Sequence, residues 1–351
     1  MNNASDLLSD EKFAHEIFEF PLPYNFDSNK QEFDIFKNLS SQAGQNSLIK
    51  TYKNVNIAAN SVVFNYFNIF RETCISEEAY RKYKTGYKFF FKYVFPQINF
   101  NPNKRFILIT DEWTTNYYHW HLIALHRLLL LKQHNLIQDS ILLLPKRYKK
   151  LKFIFESLTK FGIKENQIVF LRKKSHIKIK ELLFPLTHQN DPIAFREIKK
   201  VLIEKVEKGI NLGDKIYISR DGCQLRFIEN EGDFITLVEK YGFKKVLMEE
   251  YSYQDQISIC NNAKYIIGPH GAGFTNVLFM KDGGFLLELA AKPDDLKSTT
   301  HYHKLSCFTG INYLYQECEA RGKIPDFHQG SLFVDLNKLE KNLQLMLKKY
   351  V

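Results

Sequence analysis

Along most of the chain, apolar residues fall into short solid runs, separated by longer stretches in which they recur every third or fourth position. Short apolar runs bounded by polar turns read as strands buried on both faces, and the longer spacing reads as amphipathic helix. The first succession is then a strand at 105–110, a helix at 118–134, a strand at 140–145, a helix at 149–161, and strands at 167–171 and 181–184. A second opens with a helix at 192–208, where Pro192 suits a first helical turn. It continues as strand 215–219, helix 231–241, strand 244–248, helix 253–262, strand 265–267 and strand 284–289. Asn230 with Asp233, and Ser252 with Asp255, predict helix N-caps. Residues 336–349 predict a closing helix, and residues 1–50, without a sustained period, a loosely structured lead-in.

Strands alternating with helices imply parallel sheets covered on both faces. The expected fold is α/β, with two doubly wound domains at 51–190 and 191–335 facing a cleft. Ligands in such folds sit beyond the carboxyl ends of the strands.

Hydrophobic residues at 44% and charged residues at 25% are ordinary for a globular chain. The net charge of +10 favours acidic partners, although general richness in Lys and Asn accounts for part of it. Between Lys146 and Lys180 the only acids are Glu156 and Glu165. That segment is a solvated face or a contact for an anionic membrane surface. It carries no interleaved aromatic signature for nucleic acid. Five widely spaced cysteines, never Cys-x-x-Cys, predict reduced thiols in a cytoplasmic protein. Neither a signal peptide nor an 18-residue apolar span is legible.

Candidate chemistry lies at the predicted strand ends. Gly268-Pro269-His270-Gly271-Ala272-Gly273-Phe274-Thr275-Asn276 turns from strand to helix, so unpaired N–H groups converge on one point, suited to a diphosphate. Positive φ at Gly268, Gly271 and Gly273 is expected to permit the turn. Arg220 and Arg226 follow strand 215–219 and either fork onto phosphate oxygens or leave Arg220 in a surface pair with Asp221. Glu249, Ser252 and Gln256 follow the next strand; Glu249 is a ribose acceptor or a surface acid. In the first half, Asp111, Glu112 and Trp113 precede Asn116-Tyr117-Tyr118-His119-Trp120. Aromatics beside His, Asn and carboxylates suit a sugar, with His119 as a candidate base. The competing reading is a helix start with aromatics in the core. No Asp-x-Asp pair offers the closely spaced carboxylates a bridging metal needs, and His301-x-His303 is two ligands short of a site.

Taken in order, Asn116-Tyr-Tyr-His119-Trp120, Tyr217-Ile-Ser-Arg220, Arg226, Asn230-Glu231, Ser252, Gln256, the His270–Asn276 loop and Glu288 resemble glycosyltransferase family 61 over residues 105–290. The resemblance implies a GT-B architecture and inverting, metal-independent transfer of a sugar from a nucleotide diphosphate sugar, with UDP as leaving group. The acceptor is a glycan or polysaccharide, as in a cytoplasmic enzyme building bacterial capsule. It places the donor on Arg220, Arg226, Asn230, Glu249, Ser252, Gln256, His270, Gly271, Ala272, Gly273, Thr275 and Asn276. The acceptor falls to Asn116, Tyr117 and Trp120, and the base to His119, ahead of Glu112 and Asp111. Bacterial members usually carry an acid four residues after the motif histidine and a proline seven after it. Here Ile123 and His126 stand there, while Arg127 is retained. That departure gives an alternative, a non-catalytic module binding a nucleotide sugar or glycan. A nicotinamide-dependent oxidoreductase is disfavoured, because no Gly-x-Gly-x-x-Gly turn opens either unit.

Overall fold

A computed structural model of the protein describes residues 4–10, 17–27, 29–37, 39, 41–43, 46–66, 68–96, 104–188, 191–204, 209–292 and 300–348. The chain divides into two compact units, Met1–Glu16 with Gly44–Leu202, and Ile17–Ala43 with Ile203–Val351. No helix among the described residues is long and apolar enough to cross a membrane.

The second unit is a sheet in the spatial order Lys244–Val246, Lys215–Ile218, Tyr265–Pro269, Phe285–Ala291, Asn312–Arg321, Ser331–Phe333. All its strands run parallel except Ser331–Phe333, which pairs antiparallel at the edge. The winding therefore reverses between Lys215–Ile218 and Tyr265–Pro269, the kind of position where open α/β sheets bind ligands. One face places Tyr217, Tyr265, Ile267, Leu287 and Leu314 against Phe234 and Val238 of helix Glu231–Lys240 and Leu339 and Leu343 of helix Leu336–Leu347. The period of two sends Ile266, Leu286 and Glu288 to the opposite face. The closing helix starts where the Asp335 carboxylate accepts from the N–H groups of Asn337 and Lys338 at 2.9 and 3.1 Å.

Part of the segment read as a lead-in is built into this core. Asn25 takes both backbone groups of Tyr315, at 2.8 and 3.1 Å, and Phe33 and Phe36 lie buried against its ring.

The first unit departs from a doubly wound sheet. Ile168–Leu171, Ser140–Pro145, Arg105–Ile107 and Ser175–Leu186 run parallel. Beyond them Ser47–Ala58, Val63–Asn65 and Asn68–Ile69 continue the sheet antiparallel. Ser47–Ala58 hides its period because Asn54 adopts φ 52°, which shifts the alternation between Tyr52 and Val55. The helix expected at 118–134 is present as Tyr117–His119, a wider turn at Trp120–Ala124 closed by Leu125 N–H on Trp120 C=O, and Leu125–Gln133. The helix expected to 208 is described over Pro192–Ile203; residues 205–208 lie outside the described residues.

Candidate active site

In the second unit, two loops leave neighbouring parallel strands at the winding reversal. One is residues 219–229, after Lys215–Ile218. The other begins at His270, after Tyr265–Pro269. The expected positive φ is absent here: Gly268, Gly271 and Gly273 are not among the left-handed residues, and Gly271 is extended at φ 171°. Glycine is required by close approach instead. A Cβ on Gly268 would run into the carbonyl oxygen of Ile218, and one on Gly271 into the guanidinium of Arg220. On Gly273 it would come within 3.2 Å of Ile218 Cγ2. The chain then enters the short 3₁₀ helix Ala272–Phe279, whose first N–H groups have no intrahelical acceptor.

Arg220 does not pair with Asp221, which takes Lys245 at 2.8 Å. Its Nε donates to Leu225 C=O at 3.1 Å, folding the loop back so that Arg226 joins it. Arg226 adopts φ 58°, and its buried Nε lacks a hydrogen-bond partner among the described residues. Burial, and then the charge of Arg220, hold the Arg226 guanidinium below the usual arginine range. Two like charges kept together in this way form a site that an anion relieves. A cavity of about 70 Å³ opens here, lined among others by Ser219, Arg220, Cys223, Glu249, Gly271 and Gly273.

His270 Nδ1 faces the carboxylate of fully buried Glu288, whose other oxygen accepts from Tyr313 O–H at 2.6 Å. Of the expected donor residues, Gln256, Ser252, Thr275 and Asn276 do not line this cavity and instead support the elements around it. Gln256 Nε2 donates to the carbonyls of Met248 and Tyr251 at 2.8 and 3.2 Å, and its Oε1 accepts from buried Asn276 at 3.2 Å. This pins the turn Met248–Glu250 that carries exposed Glu249. Ser252 caps helix Tyr253–Asn262, accepting from Asp255 N–H at 3.1 Å as its spacing predicted. Thr275 is fully buried, its hydroxyl without a partner among the described residues. Asn230 is a correction as a cap: its amide binds both backbone groups of Val334, at 2.9 and 3.0 Å, and its side chain makes no capping bond to helix Glu231–Lys240. Its neighbour Glu231 accepts from Tyr217 O–H and Ser219 O–H at 2.7 and 2.6 Å.

In the first unit, Asp111 is the keystone of its loop. Oδ1 accepts from the N–H groups of Trp113 and Thr114 at 3.0 and 3.1 Å, and Oδ2 meets the buried Arg127 guanidinium at 3.3 Å. Glu112 accepts from Tyr83 O–H and from Asn60 at 3.1 Å. Arg147, from the basic segment, donates to both of their carbonyls at 3.4 and 3.3 Å. Asn116 caps the following helix through Tyr118 N–H at 2.9 Å. Tyr117 packs on His121 and Phe153. Trp120 is a second correction. It is 0% exposed and its indole N–H donates to Ser157 Oγ at 2.9 Å, so it is core and cannot stack on an acceptor. The exposed aromatic nearby is Trp113, 53% exposed, with its ring 5.4 Å from that of His119.

His119 is half-buried, and its Nδ1 has no hydrogen-bond partner among the described residues. Burial pushes its imidazole below the ordinary histidine range, against an opposing pull from Asp111. The ring is therefore neutral near pH 7 and able to accept a proton. Ile123 lines a second cavity, of about 140 Å³, with Asp111 and Arg127. His126 instead faces Asp191 at 3.3 Å.

Trp113, Glu288 and Tyr313 complete the two constellations. Legible signals existed for the first two: an aromatic in a loop between strand and helix, and an acid inside the apolar run 285–291.

Comparison with known proteins bears on the same region. The model of the family described as Glycosyltransferase 61 matches residues 117–286. The chain is 26% identical over 129 residues to the protein O-linked-mannose beta-1,4-N-acetylglucosaminyltransferase 2 of Homo sapiens, covering 34% of this chain and 22% of that protein. It is 29% identical over 100 residues to the EGF domain-specific O-linked N-acetylglucosamine transferase of Drosophila melanogaster, covering 28% and 18%. The chain thus aligns with about a fifth of the length of these curated relatives.

Proposed function

The chain belongs to glycosyltransferase family 61, and on that premise we propose that it is an inverting transferase. It moves a sugar from a nucleotide diphosphate sugar, UDP as leaving group, to a hydroxyl of a glycan or polysaccharide. The observation that carries this reading is Arg220 lying on Gly271 of the glycine loop at the winding reversal, with the charge of Arg226 held beside it. In a single displacement the acceptor oxygen attacks the anomeric carbon and its proton passes to His119. The bond to the diphosphate breaks on the opposite face. Negative charge grows on the departing group, so preorganised guanidinium and N–H donors there lower the barrier most. Asp111 and Glu112 are less suited as base, because hydrogen bonds and Arg127 already engage their carboxylates.

The GT-B architecture of the family would divide the work in the same way, donor on the second unit and acceptor on the first. A cytoplasmic enzyme of surface-polysaccharide assembly, with basic residues 146–180 toward an anionic membrane, belongs to this reading. The names of the relatives make UDP-N-acetylglucosamine the first donor to test. Arg220→Ala should cut turnover by orders of magnitude while the protein stays folded, and EDTA should leave turnover intact. Retention of most activity by Arg220→Ala, or its abolition by EDTA, would contradict the respective role.

One observation favours the second reading, a non-catalytic nucleotide-sugar or glycan-binding module: Ile123 puts an apolar side chain beside Asp111 and Arg127. Single-turnover cleavage of UDP-sugars by the wild-type protein separates the two.

A further inference from the structure

Glu288 lies fully buried in the apolar strand Phe285–Ala291, an unfavourable place for a carboxylate unless its lone pairs are taken. They are taken by Tyr313 O–H, at 2.6 Å, and by His270 Nδ1. A carboxylate only accepts, so Nδ1 carries the proton and Nε2 is the ring atom left for a ligand. Tyr302 and Phe327 pack on the ring with centroids at 5.1 and 4.7 Å and hold its orientation. The next residue is Gly271, on which the Arg220 guanidinium lies, and the charge of Glu288 is felt at Arg226.

We propose that Glu288 is a positioning residue that locks His270 with Nε2 toward the diphosphate gripped by Arg220 and Arg226, and that it is the buried counter-charge for an imidazolium in the bound complex. This rests on reading the pocket as a diphosphate site. Phosphate oxygens facing Nε2 accept hydrogen bonds, so Nε2 must be protonated in the complex while Nδ1 keeps its proton on Glu288. Wherever the free ring is neutral, binding takes up one proton, and affinity falls as pH rises.

Other titratable or charged groups face this couple. Tyr313 and Tyr315 come from the neighbouring strand, Tyr302 and His303 from helix His301–Phe308, and Arg226 from residues 219–229, with Arg220 and Cys223 beside it. Arginine stays charged between pH 7 and 9. Burial lifts the Tyr313 hydroxyl well above its ordinary range and pushes His303 down to about 4. The pH slope should therefore survive Cys223→Ser and Tyr302→Phe, whatever either does to affinity.

The test is calorimetric titration with UDP, and with GDP as a second probe, from pH 7 to 9 in buffers of different ionisation enthalpy. Wild type should take up protons on binding, one at most, and lose affinity as pH rises, by up to about tenfold per pH unit. His270→Gln should bind about tenfold more weakly at pH 7 and show no pH slope. Glu288→Gln, isosteric, should also be weaker with its slope lost, and Tyr313→Phe should fall between. A flat wild-type profile, a slope that survives His270→Gln, or wild-type behaviour in Glu288→Gln overturns the proposal. If Glu288→Gln does not fold, wild-type proton uptake and Tyr313→Phe decide. If wild type binds neither nucleotide, the diphosphate reading fails first and takes this proposal with it.

Discussion

Gly271→Ala separates the binding role of the glycine loop from its folding role. Its backbone is extended at φ 171°, which alanine adopts without strain, so the substitution acts only through the methyl group. That methyl would overlap the end of the Arg220 guanidinium, a flexible side chain that can swing away. The fold should lose less than about 1 kcal/mol, partly offset by the stiffer unfolded chain. The melting temperature should move by less than about 3 °C. The diphosphate, however, loses a charge-assisted donor worth about 1.5–3 kcal/mol, so UDP affinity should fall roughly ten- to hundredfold. Gly268→Ala gives the contrast. Its methyl meets the backbone carbonyl of Ile218, which cannot move without its strand, and overpacking of this kind costs about 1–3 kcal/mol or more. Calorimetric titration with UDP and urea unfolding of both variants make the measurement. If folded Gly271→Ala binds UDP within twofold of wild type, or is destabilised as much as Gly268→Ala, the guanidinium does not lie where this reasoning needs it.

Trp113→Ala should raise the acceptor KM severalfold at unchanged melting temperature, whereas Trp120→Phe should cost roughly 1–2 kcal/mol of stability through its lost bond to Ser157 and leave KM alone; the reverse pattern would return Trp120 to the site. His119→Gln should lower kcat by roughly a hundredfold or more while UDP binding stays within twofold, and an undiminished kcat would move the base elsewhere. Burial pushes His121 and His303 down to about 4, so both stay neutral in the fold while the unfolded chain takes up protons below about 6.5. Stability should therefore fall as pH drops from 6.5 toward 4, by about 2 kcal/mol per histidine at pH 5, and equal urea midpoints at pH 7 and 5 would contradict this.

Strand ends were legible because buried parallel strands are solid apolar runs, and the loops leaving Lys215–Ile218 and Tyr265–Pro269 could be picked out as a binding region from their Arg and Gly content. Which groups those loops leave free was not legible. Asn230 and Gln256 are both amides at suitable spacing, yet each is engaged by backbone, Asn230 by Val334 104 positions away. The same limit hid the antiparallel half of the first unit. Asn54 disguises the period of Ser47–Ala58, and its partner Ser175–Leu186 lies more than a hundred residues further on. Nor did composition separate Trp113 from Trp120. They are seven residues apart, and only helix packing against Ser157 makes one of them core.

The apolar residue at position 123 bears on Arg127 before it bears on the base. Ile123 lines the cavity that contains Asp111 and Arg127, and the buried Nε of Arg127 lacks a hydrogen-bond partner among the described residues. Burial already holds that guanidinium below the usual arginine range, with Asp111 opposing. A carboxylate introduced by Ile123→Glu would have about 140 Å³ of space and an unsatisfied donor to meet. It would also stand near the charge of Asp111, which raises the pKa of one of two neighbouring carboxyls. The pair term and this repulsion act in opposite directions, so stability should change by no more than about 1–2 kcal/mol. If His119 works as base with its present surroundings, transfer should stay within about threefold of wild type. A rise of tenfold or more would mean that the missing acid limits the reaction, and that the neutral imidazole of His119 is insufficient by itself.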